Sequence, residues 1–579
     1  MRVKVKSQLP AISCALAVAL CALLIHPYAE TGICDDWSYI KTTQILAQTG
    51  HVVYNGWASA MLGWQLYLGA LFAKLFGFSF TAVRLSTFLV AIATAWLLQR
   101  TLARAGVSQW NATLATLTFV FSPLYLPLAF TFMSDVAGVF SIVLCLYMCL
   151  RALQADTRAA TIAWIGSAAL LNAIGGTARQ IAWLGVLVMI PSTLWLLRRR
   201  PRVLLAGGLC CLVGIGFLFA SMHWFNQQSY ALPERLIPES FGLKSLENIA
   251  AMGMRAALEM LCLLLPVVLM FVAPLLKPNR RMSVLFFAGT LSFALIGFVL
   301  FRYHGLDHWI APFLGRNVTV PGLLEANSII GARPLILPLG IRVLLTVATI
   351  VALVSLFTVV FGNGSRPSSS PGRAASVSWR DLAVILAPFS AAYIFMLMPR
   401  ASTGGFYDRY LLPLMVLFLL VLARYYQEKV GPRLPVLCPI LIAIVACFTI
   451  VGTHDMFATY RGYLAAFQQV RSSGVPATAI SGSWENDGWT ELETVGYMNE
   501  RRIRNPRGVY VYQPVTVFPA GCDGNSLDRI PAVKPVYALS FDPAQCGGQA
   551  GFPPVVYRTW LPPHTNTIYI VKFPAIPGR

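Results

Sequence analysis

Apolar runs of about 20 residues, the length that crosses a hydrocarbon core, recur along roughly the first 450 positions of this 579-residue chain, separated by short breaks rich in arginine. No other feature narrows the possible folds as much. Backbone in lipid must satisfy its own hydrogen bonds, which leaves helices or closed barrels, and barrel strands are shorter and alternate. The chain therefore reads as a polytopic α-helical membrane protein. It is 57% hydrophobic and only 12% charged, where a soluble globular protein carries about 25%. A net charge of +21 on a soluble surface would suit nucleic acid. Here the basic residues sit in the breaks between apolar runs, so the partner they imply is the lipid bilayer and not nucleic acid.

Those breaks also set the orientation, because Lys and Arg accumulate on the cytoplasmic side. Arg2, Lys4 and Lys6 precede an apolar run from Leu9 to His26 that lacks a small-residue cleavage site, the pattern of a retained first span with the N-terminus inside. An outer segment, residues 28–80, follows. Its semi-apolar stretch Met61–Phe76 reads as helix lying at the interface. From there every even span ends in a basic cluster: Arg100 and Arg104, Arg151 and Arg158, Arg198 to Arg200 with Arg202, then Lys277, Arg280 and Arg281. Arg366, Arg373 and Arg380 follow span ten, and Arg424, Lys429 and Arg433 follow span twelve. Counting Met61–Phe76 as a span would invert every later loop and destroy the pattern. The expectation is about thirteen transmembrane helices over residues 1–452, with residues 362–379, rich in Ser, Pro and Gly, as a flexible cytoplasmic linker.

Residues 453–579 change character, rich in Pro, Gly and aromatics, and read as an α/β domain on the outer side. A helix is expected over Tyr460–Arg471 and strands over Ala477–Ser481, Val509–Tyr512 and Thr567–Val571. Cys522 and Cys546 are the two cysteines of this region, and in an oxidising compartment they form a disulfide; two unpaired thiols are the alternative.

Ionisable groups next to spans are costly and default to functional candidates. In this topology several converge on the outer boundary. Asp35 and Asp36 follow span one, Asp135 opens span four, Arg179 and Gln180 join spans five and six, and Arg409 opens span twelve. A carboxylate beside a second acid can be tuned as a general base, and arginine presents a planar fork suited to phosphate oxygens. Together they suggest group transfer from a membrane-tethered phosphate donor. Each also has a plain reading. Asp135 suits the positive end of a helix, the arginines can snorkel to the interface, and Asp35-Asp36 can be a solvated pair or a cap.

At this point the chain resembles a family, the GT-C glycosyltransferases that use lipid-linked sugars, which include the protein O-mannosyltransferases and the aminoarabinose transferase of lipid A. The resemblance runs over essentially the whole chain. It rests on the acidic pair followed by Tyr39, on Leu75-Phe76-Gly77, on Ala82-Val83-Arg84-Leu85, on Asp135 and on Arg409-Tyr410-Leu411-Leu412-Pro413. It implies a GT-C-like fold in a bacterial inner membrane, with the C-terminal domain periplasmic. It further implies a polyprenyl-phosphate-linked sugar donor and a protein, lipid or polysaccharide acceptor. Asp35 corresponds to the family's catalytic aspartate, Asp36 to its acidic neighbour, and Arg409 to a holder of donor phosphate. Asp36 and Asp135 would orient Asp35 or bind a divalent cation. Where family members often carry a Lys-Pro-Pro stretch, this chain has Tyr54-Asn55-Gly56-Trp57-Ala58-Ser59, which shifts more of the phosphate role onto Arg179.

Two other stretches carry less. His304-Gly305-Leu306-Asp307-His308 has metal-like residue types without a zinc spacing. Ser483 to Trp489 mixes acids and tryptophans, either as a sugar-contacting surface or as a tight turn flanked by core tryptophans. The rival classes are a lipid-linked sugar flippase, whose charges belong near the midplane, and a surface-glycan polymerase or ligase.

Overall fold

The computed structural model describes residues 8–232, 242–276, 278, 280–304, 309–324, 329–362, 377–513, 522 and 527–573. The N-terminal basic residues, most of the 362–379 linker and residues 305–308 of the histidine stretch lie outside them. Among the described residues, nine helices are long and apolar enough to cross a bilayer: Phe80–Arg104, Ser134–Leu153, Arg158–Ala178, Pro201–Gln227, Arg280–Gly297, Leu339–Gly362, Trp379–Ser402, Asp408–Lys429 and Leu437–Ser472. A tenth position is a pair, Leu243–Leu263 and Leu265–Leu276, bent by 73° where Pro266 opens the second piece.

The expected count of about thirteen includes three segments that fall short by length. Leu9–Ile25 has 17 residues, about 26 Å of helix. Gln109–Val120 has 12. Gln180–Leu196 is wound as a 3₁₀ turn, then a π turn, then α-helix. Such changes of pitch, π turns above all, are found at functional sites.

Burial ranks the spans. Ser134–Leu153 and Asp408–Lys429 have 72% of their apolar stretch inside the protein, whereas Pro201–Gln227 has 22% and faces outward. The two central helices are those that carry Asp135 and Arg409 at their starts. A seam of small side chains joins Ser134–Leu153 to Arg158–Ala178: a methyl group on Gly175 would sit 2.5 Å from Ser141 Oγ. That is the close backbone approach by which helices associate in lipid.

The segment between the first two apolar helices forms two helices, Asp36–Thr49 and Gly63–Phe76, each of 14 residues. The second is too short to cross. Tyr67, Leu71, Leu75 and Phe76 lie exposed along it, a stripe at helical spacing suited to the interface.

At the C-terminal end, span thirteen and the helix expected over Tyr460–Arg471 are one continuous helix of 36 residues, Leu437–Ser472. At about 54 Å it outruns a hydrocarbon core of about 30 Å and carries the last region with it. The sheet on its flank has the order β1-β2-β4-β3. β1 is Ile480–Ser481, β2 Tyr537–Ser540, β3 Val555–Trp560 and β4 Pro563–Lys572. β1 runs parallel to β2, while β4 pairs antiparallel with β2 and β3. Val509–Tyr512, expected as a strand, is outside the sheet. The Asn499 side chain takes its backbone instead, accepting from Val511 N and donating to Val511 O, both at 2.8 Å. Ser483 to Trp489 is not a turn: Ser483 caps the helix Trp484–Thr494 by accepting from Asn486 N. Cys522 and Cys546 form a disulfide, with Cα atoms 5.0 Å apart.

Candidate functional site

The acidic pair separates at its first hydrogen bond. Cys34 adopts a left-handed conformation (φ 54°), and helix Asp36–Thr49 starts at the next turn, so the two carboxylates leave the chain in different directions. Asp36 is fully buried. It takes Arg84 as a fork, with Nε to Oδ2 at 2.8 Å and Nη2 to Oδ1 at 3.0 Å. It also accepts from Ile33 N at 2.7 Å and Phe132 N at 3.2 Å. The same guanidinium donates to Ala29 O and Thr31 O. This pair ties three pieces of chain together, and its oxygens are filled by protein.

Asp35 keeps 28% of its side chain exposed. Among the described residues each oxygen has one donor: Trp57 Nε1 to Oδ1 at 2.9 Å, and Arg409 Nη2 to Oδ2 at 3.3 Å. The rest of the carboxylate is open to an incoming group.

Arg409 lies between two acids. Besides Asp35, its Nε stands 3.9 Å from Asp135 Oδ2, too far for a hydrogen bond, and this buried nitrogen has no hydrogen-bond partner among the described residues. Its neighbour Asp408 faces the other way and accepts from Asn317 N and Val318 N, fixing the loop that runs past the site. Asp135 is buried in the first turn of its helix, in ion-pair contact with Arg179 Nη1 at 2.6 Å. The contact is out of line for a hydrogen bond, and neither carboxylate oxygen has one among the described residues. Gly138, one turn on, makes room: a methyl group there would come within 2.8 Å of Arg179 Cδ.

Tyr410 gathers a third arginine. Arg400 Nη1 donates to its hydroxyl at 2.8 Å, and the guanidiniums of Arg400, Arg179 and Arg409 lie 5.1, 5.5 and 5.9 Å from its ring. The sequence reading missed Arg400, although an arginine closing span eleven runs against the expected alternation of basic clusters and was a visible signal. Gln180 is not among these charges. It donates to Ser59 O at 3.1 Å and holds the loop that bears Trp57.

Beside these groups opens a small recess lined by Asp135, Arg179 and Arg409 together with Val139, Ile142, Ile181 and Leu412. Its lining sets charged groups beside hydrocarbon. A larger cleft lies elsewhere, between helix Leu437–Ser472 and the β3–β4 hairpin. Its polar groups are used within the protein: Asp455 accepts from Trp560 N and Leu561 N, and Arg333 donates to Tyr463.

A divalent cation does not fit this donor set. Asp36 has no oxygen to spare, Asp135 faces two guanidiniums that would repel a cation, and no group of three metal-binding side chains converges among the described residues. Burial pushes the thiol of Cys34, next to Asp35, well above the ordinary range.

No protein-family model matches the chain, and no curated protein matches it in sequence. Two solved structures overlap with it, both of ArnT from Cupriavidus metallidurans. The apo form is 14% identical, covering 72% of this chain and 76% of that one with a TM-score of 0.33. The form bound to undecaprenyl phosphate is 12% identical, covering 97% of each chain with a TM-score of 0.35. A likeness at this level carries no inference about fold or chemistry.

Proposed function

We propose that the chain is a membrane glycosyltransferase that moves a sugar from a polyprenyl-phosphate donor to an acceptor hydroxyl on the outer face of a bacterial inner membrane, with inversion. One observation carries this reading: a half-open carboxylate, Asp35, sits 3.3 Å from an arginine whose buried Nε lacks a hydrogen-bond partner among the described residues and which, with Asp135 and Arg179, lines a small recess. That Nε makes no hydrogen bond although two carboxylates stand near it, and an oxygen of an incoming anion would satisfy it. Phosphate suits the forked geometry of Arg409 and Arg179, and the apolar residues beside them suit a lipid-borne one.

In the reaction, the acceptor hydroxyl gives its proton to Asp35 as its oxygen bonds to the anomeric carbon. The bond from that carbon to the phosphate oxygen breaks, and polyprenyl phosphate leaves with its new charge held by Arg409, Arg179 and Arg400. Asp36 and Gln180 position, and Asp135 keeps Arg179 and Arg409 apart and oriented.

The membrane topology belongs to the same proposal. Thirteen spans put the N-terminus in the cytoplasm and residues 453–579 in the periplasm, the basic clusters of the inner breaks supporting this orientation. Residues 1–452 then supply the reacting groups, and helix Leu437–Ser472 joins them to the outer region. Purified protein incubated with labelled polyprenyl-phosphate sugars and membrane acceptors should release polyprenyl phosphate and label an acceptor without added nucleotide. Movement of the labelled lipid across vesicles with no transfer would replace this reading by a flippase.

A further inference from the structure

Trp57, one of the two residues that donate to Asp35, is itself held by the C-terminal region. Trp57 stands on an irregular loop between two interfacial helices, a poor platform for a group that must orient a carboxylate to within a few tenths of an ångström. Its ring packs 5.1 Å from Trp484 and 5.7 Å from Trp37, and Trp37 meets Trp484 edge to face at 6.2 Å. The guanidinium of Arg529 lies 5.5 Å over the Trp57 ring. The loop backbone is pinned from the same side, with Met498 N donating to Asn55 O at 2.8 Å. Trp484, Met498 and Arg529 all belong to the region after residue 453.

We propose that this region is a working part of the site, in which Trp484 is a positioning residue that sets Asp35 through the Trp57 indole. The proposal rests on Asp35 being the base. The chain of contact is short and directional. Trp484 opens a helix capped by Ser483, the rings transmit its placement by van der Waals contact, and the Nε1–H···Oδ1 bond delivers it to the carboxylate. Removing Trp484 leaves Trp57 free to tilt, and a tilt of one ångström at its edge misdirects Asp35. Misplacement on that scale costs on the order of 10²-fold in rate.

The same helix supplies a matched control. Trp489 also docks against the membrane part, on Phe80 at 4.8 Å and under Lys41 at 4.6 Å, without an observed ring contact to Trp57. In full-length protein in nanodiscs, Trp484→Ala should lower kcat at least about tenfold with donor KM within about twofold, a rate-only effect expected of lost orientation. Trp484→Phe should restore most of it, and Trp489→Ala should leave kcat nearly unchanged. With ¹⁵N-indole labelling, the Trp57 resonance, assigned by its loss in Trp57→Phe, should move in Trp484→Ala and in Asp35→Asn but not in Trp489→Ala. An unmoved Trp57 resonance in Trp484→Ala overturns the coupling whatever the activity, and equal loss of kcat in the two alanine variants reduces it to general docking. If the resonances move as expected while wild type transfers no sugar, the coupling stands and the assignment of Asp35 as base falls.

Discussion

Two neighbouring aspartates each meet an arginine, and the two pairs have little else in common. Asp36–Arg84 is a buried fork whose oxygens are also claimed by two backbone amides. Asp35–Arg409 is a single contact at 3.3 Å on a carboxylate that stays 28% exposed. A saturated pair holds structure and has nothing left to offer a substrate. An unsaturated pair is costly to keep, and what repays the cost is chemistry. The dipeptide Asp408-Arg409 repeats the division, one side chain anchoring a loop and the other reaching into the site.

Breaking the saturated pair should do the most damage. Arg84→Ala or Asp36→Leu strands a buried charge, worth roughly 3–5 kcal/mol, and little folded protein should survive extraction, as size-exclusion and thermal unfolding would report. Replacing both, Asp36→Leu with Arg84→Met, should recover part of the loss; a double variant worse than either single one would mean the pair is not the cause. Asp35→Asn should behave in the opposite way. The fold is kept, and kcat drops by the ~10²–10⁴-fold typical of a lost general base; an active variant would remove Asp35 from the chemistry. Arg409→Ala is expected to raise donor KM about tenfold or more, as charge-assisted phosphate contacts do, with Arg409→Lys between; an unchanged KM would dissociate it from the phosphate.

A separate, pH-dependent effect tests buried carboxylates held mainly by neutral donors. In helix Trp484–Thr494, Asp487 accepts from Gly482 N and Ser481, and Glu491 from Ala532 N. Burial pushes both, with Glu485, up to about 7. The folded state then holds protons that the unfolded chain gives up near pH 4. Stability should therefore fall as pH rises from about 4.5 to about 7 and level off above. Thermal unfolding at pH 5, 6, 7 and 8 checks this, and a midpoint that climbs over that range would contradict it.

Much of the site was legible in the chain because charged groups beside apolar runs are rare and cannot hide. Asp35, Asp135, Arg179 and Arg409 stand out on that ground, and the structure brings all four together. Gln180 has the same signature and turns aside to Ser59, since an amide is cheap to satisfy with one carbonyl. Arg400 and Arg84 fall where the expected alternation of basic clusters puts no arginine, a signal present but not followed to its end. Trp57 was visible only as part of a departure from a family pattern. Its role depends on Trp484, far along the chain, and no local pattern encodes that meeting.

Hydropathy is a property of each short stretch taken alone, so the sequence by itself determined that this chain crosses a membrane many times and which charged residues crowd the crossing ends. Partner choice is a property of distance between remote stretches. Only the tertiary structure decided that Arg84 goes to Asp36 and Arg409 to Asp35, that the last crossing helix continues beyond its apolar stretch as a single rod, and that the region it carries reaches back to the aspartate. The reason is packing: two identical carboxylates one residue apart differ in nothing but what surrounds them.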